Sequence, residues 1–261
     1  MSTLIPVAHL ISLIFDDFII ALLSLSNQID LLRMQTTRYN PLNLPENQQG
    51  NLSIISRESR PSIQWKISHG LNTMFGGIFL TGGSSMYFSE IIQRSSIVPS
   101  LGGWFLSLGS FFLLLADLQE YFYHRSKRYV VEFRLKRTTE QWKSLSSACG
   151  SAFYVLGSIL LIPYFDQYVN VGNWLIIVGS LMIFFSSIWK ILENIRVNFV
   201  VNLFVGLGGL FYFLGIIYIL SGFKMDNLGM NISAALCVTG GSCFFLASLF
   251  LHYEYFFSKM K

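Results

Sequence analysis

Charged residues are scarce in this chain of 261 residues, of which Asp, Glu, Lys and Arg together make up 12%. A soluble domain carries about twice that share, so the composition excludes water as the main solvent of the protein. Only three cysteines are present, all within apolar segments, and this excludes a disulfide framework. The basic residues form no stripe with interleaved aromatics, which excludes a nucleic-acid partner.

The sequence also lacks the motifs of hydrolases and metalloenzymes. A nucleophile elbow requires a glycine two residues after its serine. The Gly-Gly-Ser-Ser-Met run at 82–86 has Met86 at that position. Neither H-E-x-x-H nor C-x-x-C occurs in the chain. We therefore predict that the protein is not an enzyme, and we expect no catalytic residue, no metal site and no cofactor.

Apolar sequence, in contrast, is abundant, with 52% hydrophobic residues. Each of six apolar stretches is long enough to cross a hydrocarbon core of about 30 Å. Backbone amides inside lipid must be paired locally, so these stretches are predicted to be helices. The expected fold is an all-α, polytopic membrane helix bundle with six transmembrane helices, at about 67–91, 98–121, 144–165, 171–193, 198–221 and 229–256.

The first apolar segment is interpreted differently, because Asp16 and Asp17 interrupt it at its centre. Each carboxylate at mid-depth in a bilayer would cost about 2.5–3.5 kcal/mol. We therefore expect residues 1–34 to form an amphipathic helix at the membrane interface, and its acidic polar face leaves packing against the rest of the protein as an alternative to contact with anionic lipid. The polar, proline-containing residues 35–65 are predicted to be a flexible cytosolic linker, and residues 124–143 a basic cytosolic connection.

The distribution of lysine and arginine predicts the orientation of the spans. With six spans, all of these residues except Arg94 and Lys224 fall on one side of the membrane. Positive connections are retained in the cytosol, so both termini are predicted to be cytosolic. The expected partner is the lipid bilayer of a membrane that the sequence does not identify.

Glycine recurs at a spacing of seven residues within the spans, and two helical turns place each pair on one face. These small faces are predicted to be helix-packing surfaces, and they are compatible with a homo-oligomer or a membrane-protein complex. The sixth span continues the pattern with Ala235 and Ser242. The chain is thus predicted to contain three hairpin repeats with pseudo-threefold symmetry, at 66–123, 144–195 and 197–257. The recurring glycines are Gly76, Gly83, Gly102, Gly109, Gly150, Gly157, Gly172, Gly179, Gly208 and Gly215.

Two of the hairpins share a motif in which a Gly-Ser or Gly-Gly step precedes Trp-x4-Gly-Ser. It comprises Gly157-Ser158, Trp174 and Gly179-Ser180 in one hairpin, and Gly82-Gly83, Trp104 and Gly109-Ser110 in the other. This pattern resembles the YrhK-like domain. The third hairpin departs from it, with Leu236 in place of Trp and Ile216 after Gly215. The resemblance implies a small integral membrane module without an established activity.

Ionisable residues gather at the predicted cytosolic ends of the even-numbered spans. One interpretation is a ring of carboxylates that guards a cation path. The other is a belt of interfacial ion pairs with little functional meaning, and it is the preferred one. The residues concerned are Asp117, Glu120, Lys190, Glu193, His252 and Glu254.

Two functions remain open from the sequence. No predicted span carries a charge at its centre, which favours a structural or scaffolding membrane protein without a catalytic site. The alternative is a channel or transporter for a small cation or a neutral solute, because repeats and inner carboxylates are typical of such proteins.

Overall fold

The computed structural model describes residues 61–126, 134–193, 199–220 and 227–256, with the side chains of 125, 126, 134–140 and 193 left out. The predicted segment 1–34 and residues 35–60 of the predicted linker 35–65 lie outside the described residues, whereas the last three residues of that linker belong to a helix that begins at Ile63. The all-helical prediction is confirmed, since the described residues contain helices and no strand. The elements are α1 Ile63–Ser85, α2 Ser89–Ile92, α3 Val98–Ser126, α4 Arg134–Leu160, a 3-10 helix Pro163–Tyr168, α5 Val169–Glu193, α6 Phe199–Leu220 and α7 Asn227–Phe256.

Local chemistry explains where several helices begin and end. Helix α1 begins after Ser62, whose hydroxyl accepts a hydrogen bond from the Trp65 amide at 3.2 Å. It ends at Ser85 rather than continuing through the predicted span to residue 91, because glycine and serine are weak helix formers. Helix α4 ends at Leu160, shortly before Pro163, which has no amide hydrogen to donate.

The predicted connection 124–143 is shorter than expected on both sides. Helix α3 extends to Ser126 and α4 begins at Arg134. The sequence from Arg134 onwards contains Glu, Gln, Lys, Arg and Leu, which are good helix formers although most of them are polar. A criterion based on apolar residues alone therefore places the start of α4 too late.

The six long helices form a closed ring. Each packs against the long helices before and after it in the chain, and α7 closes the ring by packing against α1. Consecutive long helices run antiparallel, as shown by the approach of Gly76 to Gly109 and of Gly83 to Gly102 between α1 and α3.

The ten glycines predicted to pack helices are all buried. They lie at the contacts within consecutive helix pairs. A Cβ atom on Gly179 would lie 2.6 Å from the carbonyl oxygen of Gly150, and one on Gly157 would lie 2.7 Å from that of Gly172. Only glycine permits these two backbones to approach so closely.

The third pair, α6 and α7, differs in register from the prediction. The positions that face Gly208 and Gly215 are Gly240 and Ser233, and not Ser242 and Ala235. Ala235 is exposed. The predicted pair is shifted by two residues because the register between two helices depends on the geometry of their connection, which a glycine spacing does not encode.

The contacts between one helix pair and the next involve other glycines, which the seven-residue spacing does not identify. A Cβ atom on Gly241 would lie 2.6 Å from the amide nitrogen of Thr81, where α7 meets α1. A Cβ atom on Gly209 would lie 2.9 Å from the carbonyl oxygen of Ser180, where α6 meets α5. Close backbone approach therefore occurs around the ring and not only within the hairpins.

Among the described helices, four segments are long and apolar enough to cross a membrane, namely Val98–His124, Pro163–Leu192, Phe199–Leu220 and Asn227–Phe256. They correspond to α3, α5, α6 and α7. An integral membrane protein is the class that these helices support. The remaining long helices, α1 and α4, fall below this criterion by composition but lie between apolar neighbours in the ring.

Candidate functional site

A cavity of about 250 Å³ lies inside the ring, near the start of α1 and the ends of α3 and α7. We call it the Asp117 cavity. Two carboxylates, Asp117 and Glu120, and one lysine, Lys190, are among its lining residues. The lining also contains two histidines, His69 and His124, together with serine hydroxyls and aromatic rings.

Two serines of the neighbouring helix hold the Asp117 carboxylate. Ser147 donates to Oδ1 at 2.8 Å, and Ser151 donates to Oδ2 at 2.5 Å. Asp117 lies nine residues before the end of α3, or about 13 Å along the helix axis. It is thus deeper within its helix than the predicted span, ending at residue 121, had placed it, because the helix continues to Ser126.

Glu120, one turn further along α3, has a cationic partner. The Lys190 ammonium group donates to both carboxylate oxygens, at 2.7 and 2.9 Å. His124 Nε2 lies 3.7 Å from the same carboxylate. Glu120 and Lys190 come from α3 and α5, which are not neighbours in the ring, so their ion pair spans its interior.

An aromatic cluster lies at the same end of the cavity. The Trp65 ring stacks on His69 and contacts Tyr123, each with a centroid separation of 4.8 Å. The Tyr255 hydroxyl forms a hydrogen bond of 3.2 Å with His69 Nδ1. These four residues join α1, α3 and α7, and all of them line the cavity.

Six buried side chains close the cavity at its other end, and we call them the plug. Each lies four residues after one of the small-residue contacts of its helix. Tyr154 and Tyr212 meet edge to face with centroids 5.4 Å apart, and the Tyr212 hydroxyl donates to the Leu80 carbonyl at 3.2 Å. None is more than 6% exposed, and together they are Leu80, Leu113, Tyr154, Ile183, Tyr212 and Phe244.

A second cavity, of about 190 Å³, lies on the opposite side of the plug. Three plug residues, Leu80, Tyr154 and Tyr212, line it, whereas the other three line the Asp117 cavity. We call it the Tyr87 cavity, after a tyrosine whose hydroxyl is buried without a hydrogen-bond partner. Burial, with a smaller effect of the nearby Cys237, raises the pKa of Tyr87 to about 12, so the phenol is protonated at neutral pH.

The structure divides the six ionisable residues that the sequence grouped. Asp117, Glu120 and Lys190 line the Asp117 cavity. His252 does not line it; its Nδ1 donates to the Ser248 carbonyl at 2.8 Å, and its ring packs over Gly70. Glu254 is also outside the lining, and the side chain of Glu193 lies outside the described residues.

Several lining residues were missed by the sequence analysis. Ser147 and Ser151 lie four residues apart on one face of α4, a signal that is visible once the helix is assigned. His69 precedes Gly76 by seven residues and so shares its inward face. The partners of these side chains lie on other helices, and no sequence spacing identifies them.

In the part of the chain that the structure describes, no three His, Cys, Asp or Glu side chains are grouped so as to hold a metal ion. The three cysteines are free thiols. Comparison of the chain with protein-family models, with curated proteins and with solved structures gives no match.

Proposed function

We propose that this protein is a membrane transporter or channel for a small monovalent cation, with Asp117 as the carboxylate that binds the cation. The observation that carries the proposal is the charge balance of the Asp117 cavity. Glu120 forms its ion pair with Lys190, whereas the described hydrogen bonds of Asp117 come from two serine hydroxyls. One negative charge in a cavity of low dielectric attracts one cation, which the carboxylate and the hydroxyl oxygens suit as ligands.

The ring supports six spans, including α1 and α4, which are less apolar than the other four long helices. Helix α1 has 23 residues, or about 34 Å, which matches the hydrocarbon core. Along α1, the contacts with α7 and α3 begin at Gly70, which meets α7, and reach Gly83, which meets α3. A helix packed in this way between two antiparallel spans crosses the membrane with them, and the same argument applies to α4 between α3 and α5.

The inward positions also support three hairpin repeats. The residues at the position of Asp117 in the other two pairs are Ser187 and Ser248, and all three follow the small-residue contact by eight residues. Glu120 and Lys190 occupy equivalent positions in the first two pairs, eleven residues after that contact. One repeat position thus supplies an acid and a base that pair, and another supplies the carboxylate that the serine hydroxyls hold.

With the positive-inside orientation, the Asp117 cavity opens towards the cytosol and the Tyr87 cavity faces the other side. The plug separates the two cavities. Passage of an ion therefore requires the plug side chains to part, and the tyrosine hydroxyls and Ser84 are the polar groups nearest to that path. Two cavities on either side of a closed midpoint are typical of transporters built from repeats.

The scaffolding function favoured by the sequence remains the alternative, and it predicts no ion flux. Its main support was the absence of charge at the centre of any span. The geometry gives more weight to transport, because Asp117 lies on the wall of an internal cavity and not on the outer surface of the bundle. The resemblance to the YrhK-like domain stays a prediction and is compatible with either function.

Reconstitution in liposomes tests the proposal. We expect the wild-type protein to conduct or exchange a cation from the series H⁺, Li⁺, Na⁺ and K⁺, and Asp117→Asn to abolish this flux. Glu254→Gln is the matched control, since Glu254 is a carboxylate of the same bundle end that does not line the cavity. Its flux should equal that of the wild type.

Two outcomes would contradict the proposal. Absence of flux for all four ions in folded wild-type protein would favour the scaffolding function. Undiminished flux in Asp117→Asn would show that another group binds the cation.

A further inference from the structure

We propose that the Tyr87 cavity is a binding site for a small neutral molecule with an apolar body and one hydrogen-bond acceptor. This site goes beyond the proposed cation function and does not depend on it, because the described linings of the two cavities share no residue. The argument rests on the size of the cavity, the chemistry of its lining and one buried hydroxyl.

The volume sets the size of the ligand. A cavity of about 150 Å³ lined by apolar side chains is known to stay dry and to hold benzene. At about 190 Å³, the Tyr87 cavity has room for one six-membered ring with a short substituent. A bulky amphiphile or a second ring system does not fit.

The lining does not suit a charged ligand that stays bound. Among the described residues it contains no Asp, Glu, Lys, Arg or His side chain, so an ion held there, unlike one in transit, would lose its hydration without gaining a counter-charge. Most of the surface is apolar, and its hydrophobic side chains include Leu106, Leu161, Ile176, Ile216, Ile219 and Met230. An apolar molecular body gains free energy by leaving water for such a surface.

Several hydroxyls in the lining already have partners. Ser110 donates to the Leu106 carbonyl at 2.6 Å, and Ser233 donates to the Gly215 carbonyl at 2.8 Å. Ser84 and Tyr212 are hydrogen-bonded to each other at 2.8 Å. These groups are satisfied by the protein itself and contribute little selectivity.

The Tyr87 hydroxyl is the exception. It is buried, it belongs to the lining, and it has no hydrogen-bond partner among the described residues. The ring is held in place from behind, since a Cβ atom on Gly102 would lie 2.8 Å from Tyr87 Cε2. A protonated phenol fixed in this way donates one hydrogen bond, so the matching ligand carries an acceptor such as a carbonyl or ether oxygen.

A pair of fluorinated probes of nearly equal shape tests the site. Para-fluoroacetophenone carries a carbonyl acceptor, and para-fluoroethylbenzene does not. Binding is followed by fluorine NMR of the full-length protein in lipid nanodiscs, with empty nanodiscs as the reference for partition into lipid. We expect saturable binding of both probes to the wild type, with the ketone the tighter of the two.

Two variants locate the bound probe. Tyr87→Phe removes only the hydroxyl, and we expect it to weaken ketone binding about fivefold and to leave the hydrocarbon unchanged. Ala234→Leu fills the cavity from a residue that is 3% exposed and is expected to abolish binding of both probes. Ala152→Leu, at a position that lines neither cavity, is the matched control and should bind as the wild type does.

The results separate this proposal from the cation function. If neither probe saturates the wild type, the cavity is not such a site and water satisfies the hydroxyl. If Tyr87→Phe binds the ketone as tightly as the wild type, the role of the hydroxyl is wrong even where Ala234→Leu fails to fold. Cation flux in the same Tyr87→Phe protein is expected to persist, so a failure here leaves the role of Asp117 untouched.

Discussion

Alanine substitutions at two adjacent glycines of α1, Gly83→Ala and Gly82→Ala, add the same methyl group but are expected to have opposite effects. A Cβ atom on Gly83 would lie 2.8 Å from the Leu106 amide nitrogen and 3.0 Å from the Gly102 carbonyl oxygen. On Gly82 it would meet only the edge of the Phe105 ring, at 3.7 Å. Since favourable contacts begin at about 3.5 Å, only Gly83→Ala forces α1 and α3 apart.

The size of the effect follows from these distances. Backbone atoms do not rotate away from a new methyl group, and overpacking of this kind costs about 1–3 kcal/mol. Alanine also favours the helix over glycine by up to about 1 kcal/mol, and at Gly82 this gain is unopposed. We expect the two variants to differ by about 2 kcal/mol in unfolding free energy, which corresponds to about 4–8 °C in Tm.

Thermal unfolding of the purified protein in detergent measures this difference. The five tryptophans of the chain provide the fluorescence signal. Gly83→Ala should have a lower Tm than the wild type, and Gly82→Ala an equal or slightly higher one. Equal Tm values for the two variants would refute the close backbone approach of α1 and α3.

Three further predictions concern the interior and the orientation of the bundle. Tyr212→Phe removes a hydroxyl that is bonded to the Leu80 carbonyl within the plug, and we expect the unfolding free energy in an SDS titration to fall by about 1–3 kcal/mol. Tyr164→Phe, at a position 87% exposed, is the control and should leave the unfolding free energy unchanged. Lys190→Met leaves Glu120 without its ammonium partner and should lower the unfolding free energy by about 3 kcal/mol. Adding Glu120→Gln to this variant should restore most of the lost stability. A double-mutant cycle without coupling would contradict the ion pair. Tyr164→Cys should react with an impermeant maleimide from the non-cytosolic side only, with the wild-type cysteines as background, and reaction from the cytosolic side alone would reverse the orientation.

The hairpin contacts were predictable from the sequence because they are local. Two antiparallel helices joined by a short turn meet at a constant register, so glycines spaced by seven residues on each helix come opposite one another, as Gly150 does with Gly179 and Gly157 with Gly172. The same reasoning placed the third pair two residues out of register, at Ala235 and not Ser233. Glycine spacing shows which face of a helix is smooth but not how far that helix has slid along its neighbour.

The candidate site was only partly predictable. Asp117, Glu120 and Lys190 were identified as candidate ionisable residues, but they were grouped with His252 and Glu254, which line neither cavity. The grouping was based on position along the helix axis, which the sequence reports well. Which way a side chain points around the ring depends on how six helices are rotated against one another.

The sequence by itself determined that this chain has the apolar helices of an integral membrane protein, because helix formation and apolar composition are properties of each segment, and it predicts that the basic connections share one side of the membrane. Only the tertiary structure decided that α7 returns to α1, where Gly241 meets Thr81, and that Asp117 faces Ser147 and Ser151 across an internal cavity. Contacts between segments so far apart in the chain arise from the packing of the whole ring, and no local pattern of residues records them.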